Sequence, residues 1–238
     1  MKRAYFRFYE ELQELLPAEL REAAIPGEFN GSQSVKHLIE SLGVPHTEIG
    51  KLFVNSKPVD ISYQVQDGDR VEVWPARWEA GEGEPRFILD NHLGKLAGYL
   101  RMLGFNALYR NDYEDTELAE VAEREQRILL TRDRRLLMRK QVKAGYCVRV
   151  HDPREQLKDV LKRFGLYTQL KPFQRCIRCN TLLEEVQKEQ VLESLEPLTK
   201  RYYDKFSVCP GCRQVYWPGS HYKRMQDMIQ KIKEDEIG

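Results

Sequence analysis

The sequence predicts an α/β protein in which a mostly parallel sheet is preceded by a small α+β domain and followed by a metal-binding lobe. Three observations support this prediction. From residue 86 onward, short apolar strands alternate with amphipathic helices, an order that implies right-handed crossovers between parallel strands. Residues 1–78 follow the order strand, helix, then strands. Near the C-terminus, four of the five cysteines occur as two C-x₂-C pairs.

The composition is that of a globular chain that does not enter a membrane. Of the 238 residues, 41% are hydrophobic and 32% are charged. No stretch approaches the ~18–20 consecutive apolar residues of a membrane helix. The first residues, MKRAYFRFYEELQELL, lack the apolar core of a secretory signal, so we expect a cytoplasmic protein.

Charge is distributed unevenly along the chain. Residues 1–85 contain 9 Lys and Arg against 15 Asp and Glu, whereas the remaining residues contain 29 against 22. Such an asymmetry suggests that the C-terminal part meets an anionic partner. A solvated surface with scattered charges explains the same counts equally well.

The pattern divides the chain into three domains and a linker. Residues 1–78 form the α+β domain, with the strand AYFRFY, the helix SVKHLIESLG closed by Gly43, and the strands KLFVN and RVEVWP beside the turn at 67–69. Residues 79–85, EAGEGEP, form a linker. Residues 86–170 form the α/β domain, and residues 171–238 form the cysteine-containing lobe with a last helical run.

Within 86–170 the expected strands are RFILD, FNALYR, RILLT and YCVRV. The expected helices are HLGKLAGYLRMLG, TELAEVAEREQ, the basic RRLLMRKQVKAG and PREQLKDVLKRFG. The strand RFILD is expected to be buried, and four strands separated by helices imply a mostly parallel sheet.

The cysteine spacing predicts one tetrahedral metal ion. Each C-x₂-C pair directs two sulfurs at one ion, and two pairs complete the tetrahedron. Thiolates favour zinc, with iron as the main rival, and four sulfur ligands leave no open position, so the ion is expected to be structural. The ligands are Cys176, Cys179, Cys209 and Cys212. Cys147 lies in an apolar run and is expected in a core.

Basic and aromatic residues surround these cysteines. Tyr216 and Trp217 follow the second pair, and Arg175, Arg178 and Arg213 are close in sequence. Basic residues interleaved with aromatic ones can form a nucleic-acid surface. Alternatively, the two aromatic rings pack over a ribbon that has little core of its own.

Five aspartates are expected at one edge of the parallel sheet. Asp90 and Asp133 end two strands, Asp112 and Asp115 follow another, and Asp152 follows the fourth. Ligands bind outside the carboxyl ends of strands in such sheets, and clustered carboxylates suit Mg²⁺ or Mn²⁺. A divalent ion there activates water and stabilises phosphoryl charge.

Each aspartate also has a structural interpretation. Asp115 could be the N-cap of the following helix, Asp112 a turn residue and Asp152 a cap or turn. Asp133 could pair with its basic neighbours. Asp90 ends a buried apolar run whose pattern does not require it.

Basic side chains lie close to these acids in the sequence. Arg101, Arg134 and Arg135 are the predicted phosphate contacts, and Arg132, Arg139 and Lys140 extend the cluster. A helix with this many basic residues could equally present a solvated face.

The segments GVPHTEIGKLFVN and QDGDRVEVWP resemble ubiquitin-like β-grasp domains of the ThiS/MoaD sulfur-carrier type, over roughly residues 1–78. Those carriers act through a free C-terminal Gly-Gly, whereas here the last strand continues into PARWEAGEGEP. The resemblance therefore implies a binding or regulatory module with a protein partner.

The segments ILDNHLGKLAGYLRMLGF and DTELAEVAEREQRILLTRD resemble the Mut-seven C-terminal RNase domain family, a PIN-like nuclease fold with a zinc ribbon, over roughly residues 86–222. The resemblance implies metal-dependent cleavage of RNA. The family's acidic positions correspond to Asp90, Asp115 and Asp133. Some related domains have another acid where this chain has Arg135, so Asp152 or Asp112 would have to supply a fourth.

These arguments predict a metal-dependent ribonuclease. Asp90 and Asp133 are the expected Mg²⁺ or Mn²⁺ ligands, Asp115 holds a ligand water or a second ion, and arginines position the phosphate. The alternative is a non-catalytic RNA-binding or ribosome-associated module that uses the ribbon and the basic helix.

Overall fold

A computed structural model describes residues 1–78 and 84–234 and divides the chain into two compact units. The first unit combines residues 1–78 with residues 114–147, and the second combines residues 79–113 with residues 148–238. Most of the predicted linker, residues 79–83, lies outside the described residues.

The N-terminal part of the first unit is a five-stranded mixed sheet with one short helix. The elements are β1 Lys2–Phe8, β2 Ile25–Phe29, α1 Val35–Ser41, β3 Ile49–Val54, β4 Lys57–Val59 and β5 Arg70–Pro75. The strand order is β2-β1-β5-β3-β4, with β1 parallel to β5 and the other pairs antiparallel.

Local sequence explains these elements. In β1, Ala4, Phe6 and Phe8 are buried while the alternating residues are exposed, as the period of two requires. The Ser34 hydroxyl accepts the His37 N–H at 3.2 Å and caps α1. Gly43, at φ +91°, ends the helix as predicted.

The remainder of the first unit consists of α3 Asp115–Arg124, β8 Ile128–Thr131, α4 Arg134–Leu137 and β9 Gly145–Cys147. Strands β8 and β9 pair in parallel, with Leu129 opposite Gly145. Side chains fasten this segment to the N-terminal sheet domain: the buried Glu48 carboxylate accepts the Cys147 N–H at 2.7 Å, and Arg134 donates to the Leu15 carbonyl at 2.6 Å.

The predicted basic helix is much shorter than expected. Only Arg134–Leu137 are α-helical. The next amides bond three residues back, as Arg139 N does to the Leu136 carbonyl at 3.3 Å. This tightening ends the helix, and the chain then turns so that Val142 is fully buried.

The second unit begins with β6 Arg86–Leu89, α2 Gly94–Met102 and β7 Asn106–Tyr109, and continues with α5 Pro153–Arg163. Strands β6 and β7 are parallel, with Arg86 opposite Asn106. The ring of Phe87 contacts those of Phe105 and Phe164 edge to face, with centroids 6.4 and 5.6 Å away. With parallel pairs here and in the first unit, the predicted fold class is confirmed.

A small ribbon and a helix complete the second unit. The elements are β10 Glu184–Val186, α6 Pro197–Tyr202, β11 Phe206–Val208, β12 Val215–Tyr216 and α7 Ser220–Glu234. The three strands form an antiparallel sheet, the ribbon, in the order β10-β11-β12. Val191, Leu195 and Phe206 form a small core between the two cysteine pairs. No helix in the described ranges is long and apolar enough to cross a membrane.

Candidate functional site

The four cysteines Cys176, Cys179, Cys209 and Cys212 converge on one point of the ribbon. Their sulfurs all lie within 4.8 Å of one another, with Cys176 and Cys212 3.5 Å apart and Cys179 and Cys209 3.2 Å apart. Four ligands at the ~2.3 Å zinc–sulfur distance would lie about 3.8 Å from each other. The donor set therefore fits a metal ion such as zinc, as the spacing predicts.

The two cysteine loops are built alike. In the first, Asn180 N donates to the Cys176 carbonyl, and in the second, Arg213 N donates to the Cys209 carbonyl, both at 2.9 Å. Asn180 and Arg213 both have positive φ, at +73° and +61°. This shared backbone turn points both sulfurs of each pair inward, and the asparagine suits it because Asn tolerates left-handed backbone.

The thiols interact too strongly to ionise independently. Burial opposes ionisation of Cys179, but hydrogen bonds from Thr181 and neighbouring thiols outweigh it and lower its pKa to about 6. At Cys212 a backbone hydrogen bond at Gln214 favours the thiolate, yet burial and the other thiols raise the pKa to about 12. An ionised Cys179 thus opposes ionisation of Cys212, and a bound cation would remove that conflict.

Arg101 fastens the first cysteine loop to β7. Its side chain is 4% exposed and donates to three carbonyls: Ala107 at 2.7 Å, Ile177 at 3.0 Å and Arg178 at 2.8 Å. Burial lowers the pKa of its guanidinium. Since this placement gives Arg101 a structural role, we do not retain it as a phosphate contact.

Asn180 makes a second connection that sequence reasoning missed. Its side-chain oxygen accepts the Ala107 N–H at 3.0 Å, and its amide donates to the Asn106 side chain at 2.8 Å. Arg175 adds a third, donating to the Gly104 and Asn180 carbonyls at 3.0 and 3.1 Å. The ribbon is therefore held by polar side chains that resemble surface residues in the sequence, although Asn180 is buried and Arg175 is half-buried.

The aromatic residues after the second cysteine pair have different roles. The Tyr216 hydroxyl donates to the Cys176 sulfur and accepts the Ile177 N–H, both at 3.2 Å. Burial, together with the bond to Cys176, raises the pKa of Tyr216. Trp217 remains 36% exposed. Tyr216 thus supports the ribbon, whereas the Trp217 ring is partly open to solvent.

Asp90 and Asp133 occupy equivalent positions, each at the carboxyl end of a parallel strand and at the start of a helical turn. Asp90 follows β6, is 5% exposed, and accepts the His92 N–H at 2.9 Å. Asp133 follows β8, is exposed, and accepts the Arg135 N–H at 2.8 Å on one oxygen. Both carboxylates cap the helical turn that follows their strand.

Asp115 is placed differently from the predicted cap. It is the first residue of α3, the N-cap is Glu114, and no side-chain cap bond forms there. Its carboxylate lies 3.7 Å from Arg139, which also donates to the Thr116 hydroxyl at 3.1 Å. Asp115 and Asp133 are thus exposed carboxylates at the starts of consecutive α-helices of the first unit.

The other two aspartates have local partners. Asp112 pairs with Arg110 at 3.0 Å, and that hydrogen bond lowers its pKa. Asp152 caps α5 by accepting the Arg154 and Glu155 amides at 2.9 and 3.2 Å. These placements agree with the turn and cap interpretations.

Two of the predicted phosphate contacts, Arg134 and Arg135, are exposed on α4. One guanidinium nitrogen of Arg134 donates a hydrogen bond to the Leu15 carbonyl. In the part of the chain that the structure describes, no hydrogen bond engages the side chain of Arg135. Arg135 therefore has its charge directed to solvent beside Asp133.

The structure combines parallel strand pairs, a ubiquitin-like sheet domain and a four-cysteine ribbon. The protein is therefore a multidomain α/β protein. Residues 85–229 match the Mut7-C RNAse domain family, and residues 1–80 match the Mut7-C ubiquitin family. The chain belongs to the Mut7-C RNAse domain family. The expectation drawn from its motifs is thus confirmed.

Part of the chain is also similar to a curated human protein. The chain is 41% identical over 101 residues to the human (Homo sapiens) protein named exonuclease mut-7 homolog. This alignment covers 40% of the chain and 12% of the relative's length. No solved structure matches.

Proposed function

We propose that this protein is a metal-dependent ribonuclease that hydrolyses RNA phosphodiester bonds. The observation that supports this most is the equivalent placement of Asp90 and Asp133, each just past a parallel strand, within residues that match an RNase domain family. Ligands in parallel sheets bind beyond the carboxyl ends of strands, where both carboxylates lie.

In this proposal each side chain has a defined role. Asp90 and Asp133 bind Mg²⁺ or Mn²⁺, and Asp115 holds a ligand water or a second ion. A divalent ion held there would activate water and stabilise negative charge on the phosphate. Arg135, exposed two residues after Asp133, and Arg134 hold the RNA backbone.

The four cysteines are assigned a separate, structural zinc ion. Four sulfur ligands leave no coordination position for substrate or water. Zinc would stabilise the ribbon, whose own core is small. The ubiquitin-like domain is proposed as a binding module for a protein partner, and it offers an open depression of about 510 Å³ beside Phe53 and Trp74.

The decisive experiment measures cleavage of end-labelled single-stranded RNA with Mn²⁺ by wild type, Asp90→Asn and Asp133→Asn. Asparagine caps helices as well as aspartate does, so these changes remove charge and keep the cap. We expect each to lower the cleavage rate at least about 100-fold, the equivalent of several kcal/mol. Circular RNA in the same assay separates endonucleolytic from exonucleolytic attack.

Asp60→Asn is the matched control. The Asp60 carboxylate accepts the Ser62 amide and hydroxyl in an exposed turn of the ubiquitin-like domain, at 2.7 and 2.5 Å. The same chemical change there should leave cleavage unaltered. Unchanged cleavage by both Asp90→Asn and Asp133→Asn would overturn the proposed centre. RNA binding without any cleavage would instead favour the non-catalytic RNA-binding module.

A further inference from the structure

A groove of about 660 Å³ lies between the cysteine ribbon and α7. None of the five aspartates described above lines it. Its volume is within the range of small-molecule sites. Aromatic and apolar side chains line much of it, among them Met102, Phe173, Trp217 and Tyr222. We call this the ribbon groove.

The aromatic rings of the ribbon groove are only partly covered. Phe173 and Tyr222 contact each other with centroids 4.2 Å apart and planes inclined at 32°. Both are half-buried, and Trp217 is 36% exposed. Part of each of these three side chains is therefore accessible to solvent.

The backbone holds Phe173 in an uncommon conformation. Its φ is +64°, which is rare for a bulky residue. Its N–H donates to the Met102 carbonyl at 2.9 Å, and this bond fixes the residue in place. Strain of this kind persists where the surroundings demand it, often at binding sites.

Basic residues outnumber acidic ones in the lobe that contains the ribbon groove. Residues 171–234 contain 12 Lys and Arg against 8 Asp and Glu. Lys205 lines the groove and is exposed, and the exposed Lys223 directly follows Tyr222. Of the two acids in the lining, Asp204 pairs with Lys188 at 2.8 Å, and Glu185 is the other.

We propose that the ribbon groove binds one or two unstacked bases of single-stranded RNA, with Trp217, Tyr222 and Phe173 as the stacking surface. Aromatic stacking on bases tolerates any sequence, and neighbouring basic residues follow the phosphates. A proline-rich peptide also suits aromatic grooves but gains nothing from the excess positive charge. The proposal deepens the ribonuclease assignment, since it identifies a place where that substrate is held.

The test measures binding of a short fluorescein-labelled oligouridylate to the full chain by anisotropy, without added Mg²⁺ or Mn²⁺. Tyr222→Leu and Trp217→Leu should each weaken binding about tenfold, because each removes a stacking ring. Tyr222→Phe keeps the ring and should bind as wild type does. An abasic strand of equal length should bind all four proteins alike, because only the phosphates remain.

Two further measurements separate a loss of binding from a loss of folding. Zinc content and thermal unfolding show whether each variant is folded. Crosslinking of wild-type protein to 5-iodouridine RNA shows where the RNA binds without any substitution. Crosslinks should map to Trp217, Tyr222 or Phe173. Crosslinks elsewhere, wild-type affinity in both leucine variants, or displacement of the RNA by an oligoproline peptide that binds more tightly would overturn the proposal.

The outcomes separate this proposal from the ribonuclease assignment. RNA that stacks in the ribbon groove but is never cleaved with Mn²⁺ would refute the nuclease centre alone. Cleavage that depends on Asp90 and Asp133, with binding indifferent to Tyr222 and Trp217, would refute the ribbon groove alone.

Discussion

At the scale of single residues, buried hydrogen bonds decide whether a charged side chain is functional or structural. Arg101 resembles a phosphate contact in the sequence, yet its guanidinium is enclosed and donates to three backbone carbonyls. Arginine suits that task because its planar group presents several donors in fixed directions. Arg135 is exposed beside a capping aspartate, which leaves its charge available to a ligand.

Arg101→Lys should destabilise the protein by about 3 kcal/mol, because one ammonium cannot serve carbonyls on both β7 and the first cysteine loop. Denaturant unfolding followed by circular dichroism measures the effect. The matched control is Arg154→Lys on the exposed surface of α5, expected to change stability by less than about 0.5 kcal/mol. Equal stability of the two variants would contradict the structural role of Arg101.

At the scale of elements, the same helix ending has different consequences in different surroundings. Gly104 follows α2 at φ +98°, and Gly165 follows α5 at φ +60°. A Cβ on Gly104 would lie 2.3 Å from the Lys171 carbonyl oxygen, whereas one on Gly165 would meet nothing within 4 Å. The chain entering the ribbon thus crosses directly over the end of α2.

Gly104→Ala should therefore cost at least about 3 kcal/mol, from left-handed backbone strain plus the clash with Lys171. Gly165→Ala should cost only about 1 kcal/mol, from backbone strain alone. Thermal unfolding of the two variants makes the comparison. If both lose the same stability, the close approach at Lys171 is not rigid.

At the scale of the whole molecule, the compact units differ from the division that the family matches describe. Residues 114–147 fall within the matched RNAse domain, yet they form one compact unit with residues 1–78. Glu48, fully buried, accepts the Cys147 amide, and His46 bridges Glu40 and the Val142 carbonyl at 2.7 and 2.9 Å. The ubiquitin-like domain is therefore integrated with part of the nuclease-family domain.

Glu48→Ala should destabilise this unit by about 3 kcal/mol, because the buried Cys147 amide loses its acceptor. Glu48→Gln retains a side-chain oxygen and should cost distinctly less. Hydrogen exchange of peptides covering β8 and β9 should speed up in the alanine variant. Exchange that is unchanged in Glu48→Ala would mean that the two segments are not energetically connected.

The sequence by itself determined the fold class, most strand and helix positions and the four-cysteine group. Hydrophobic periodicity, capping residues such as Gly43 and the C-x₂-C spacing are local patterns, and local patterns are readable along the chain. The motifs also indicated the family to which residues 85–229 belong.

The tertiary structure alone decided what depends on contacts between distant residues. It buried Arg101, showed Asn180 and Arg175 fastening the ribbon, shortened the basic helix to Arg134–Leu137, and brought Phe173 against Tyr222. The local sequence pattern around these residues does not indicate which distant group each of them contacts. Burial and partner choice arise only when the chain folds, and they separate a structural charge from one that is available to a ligand.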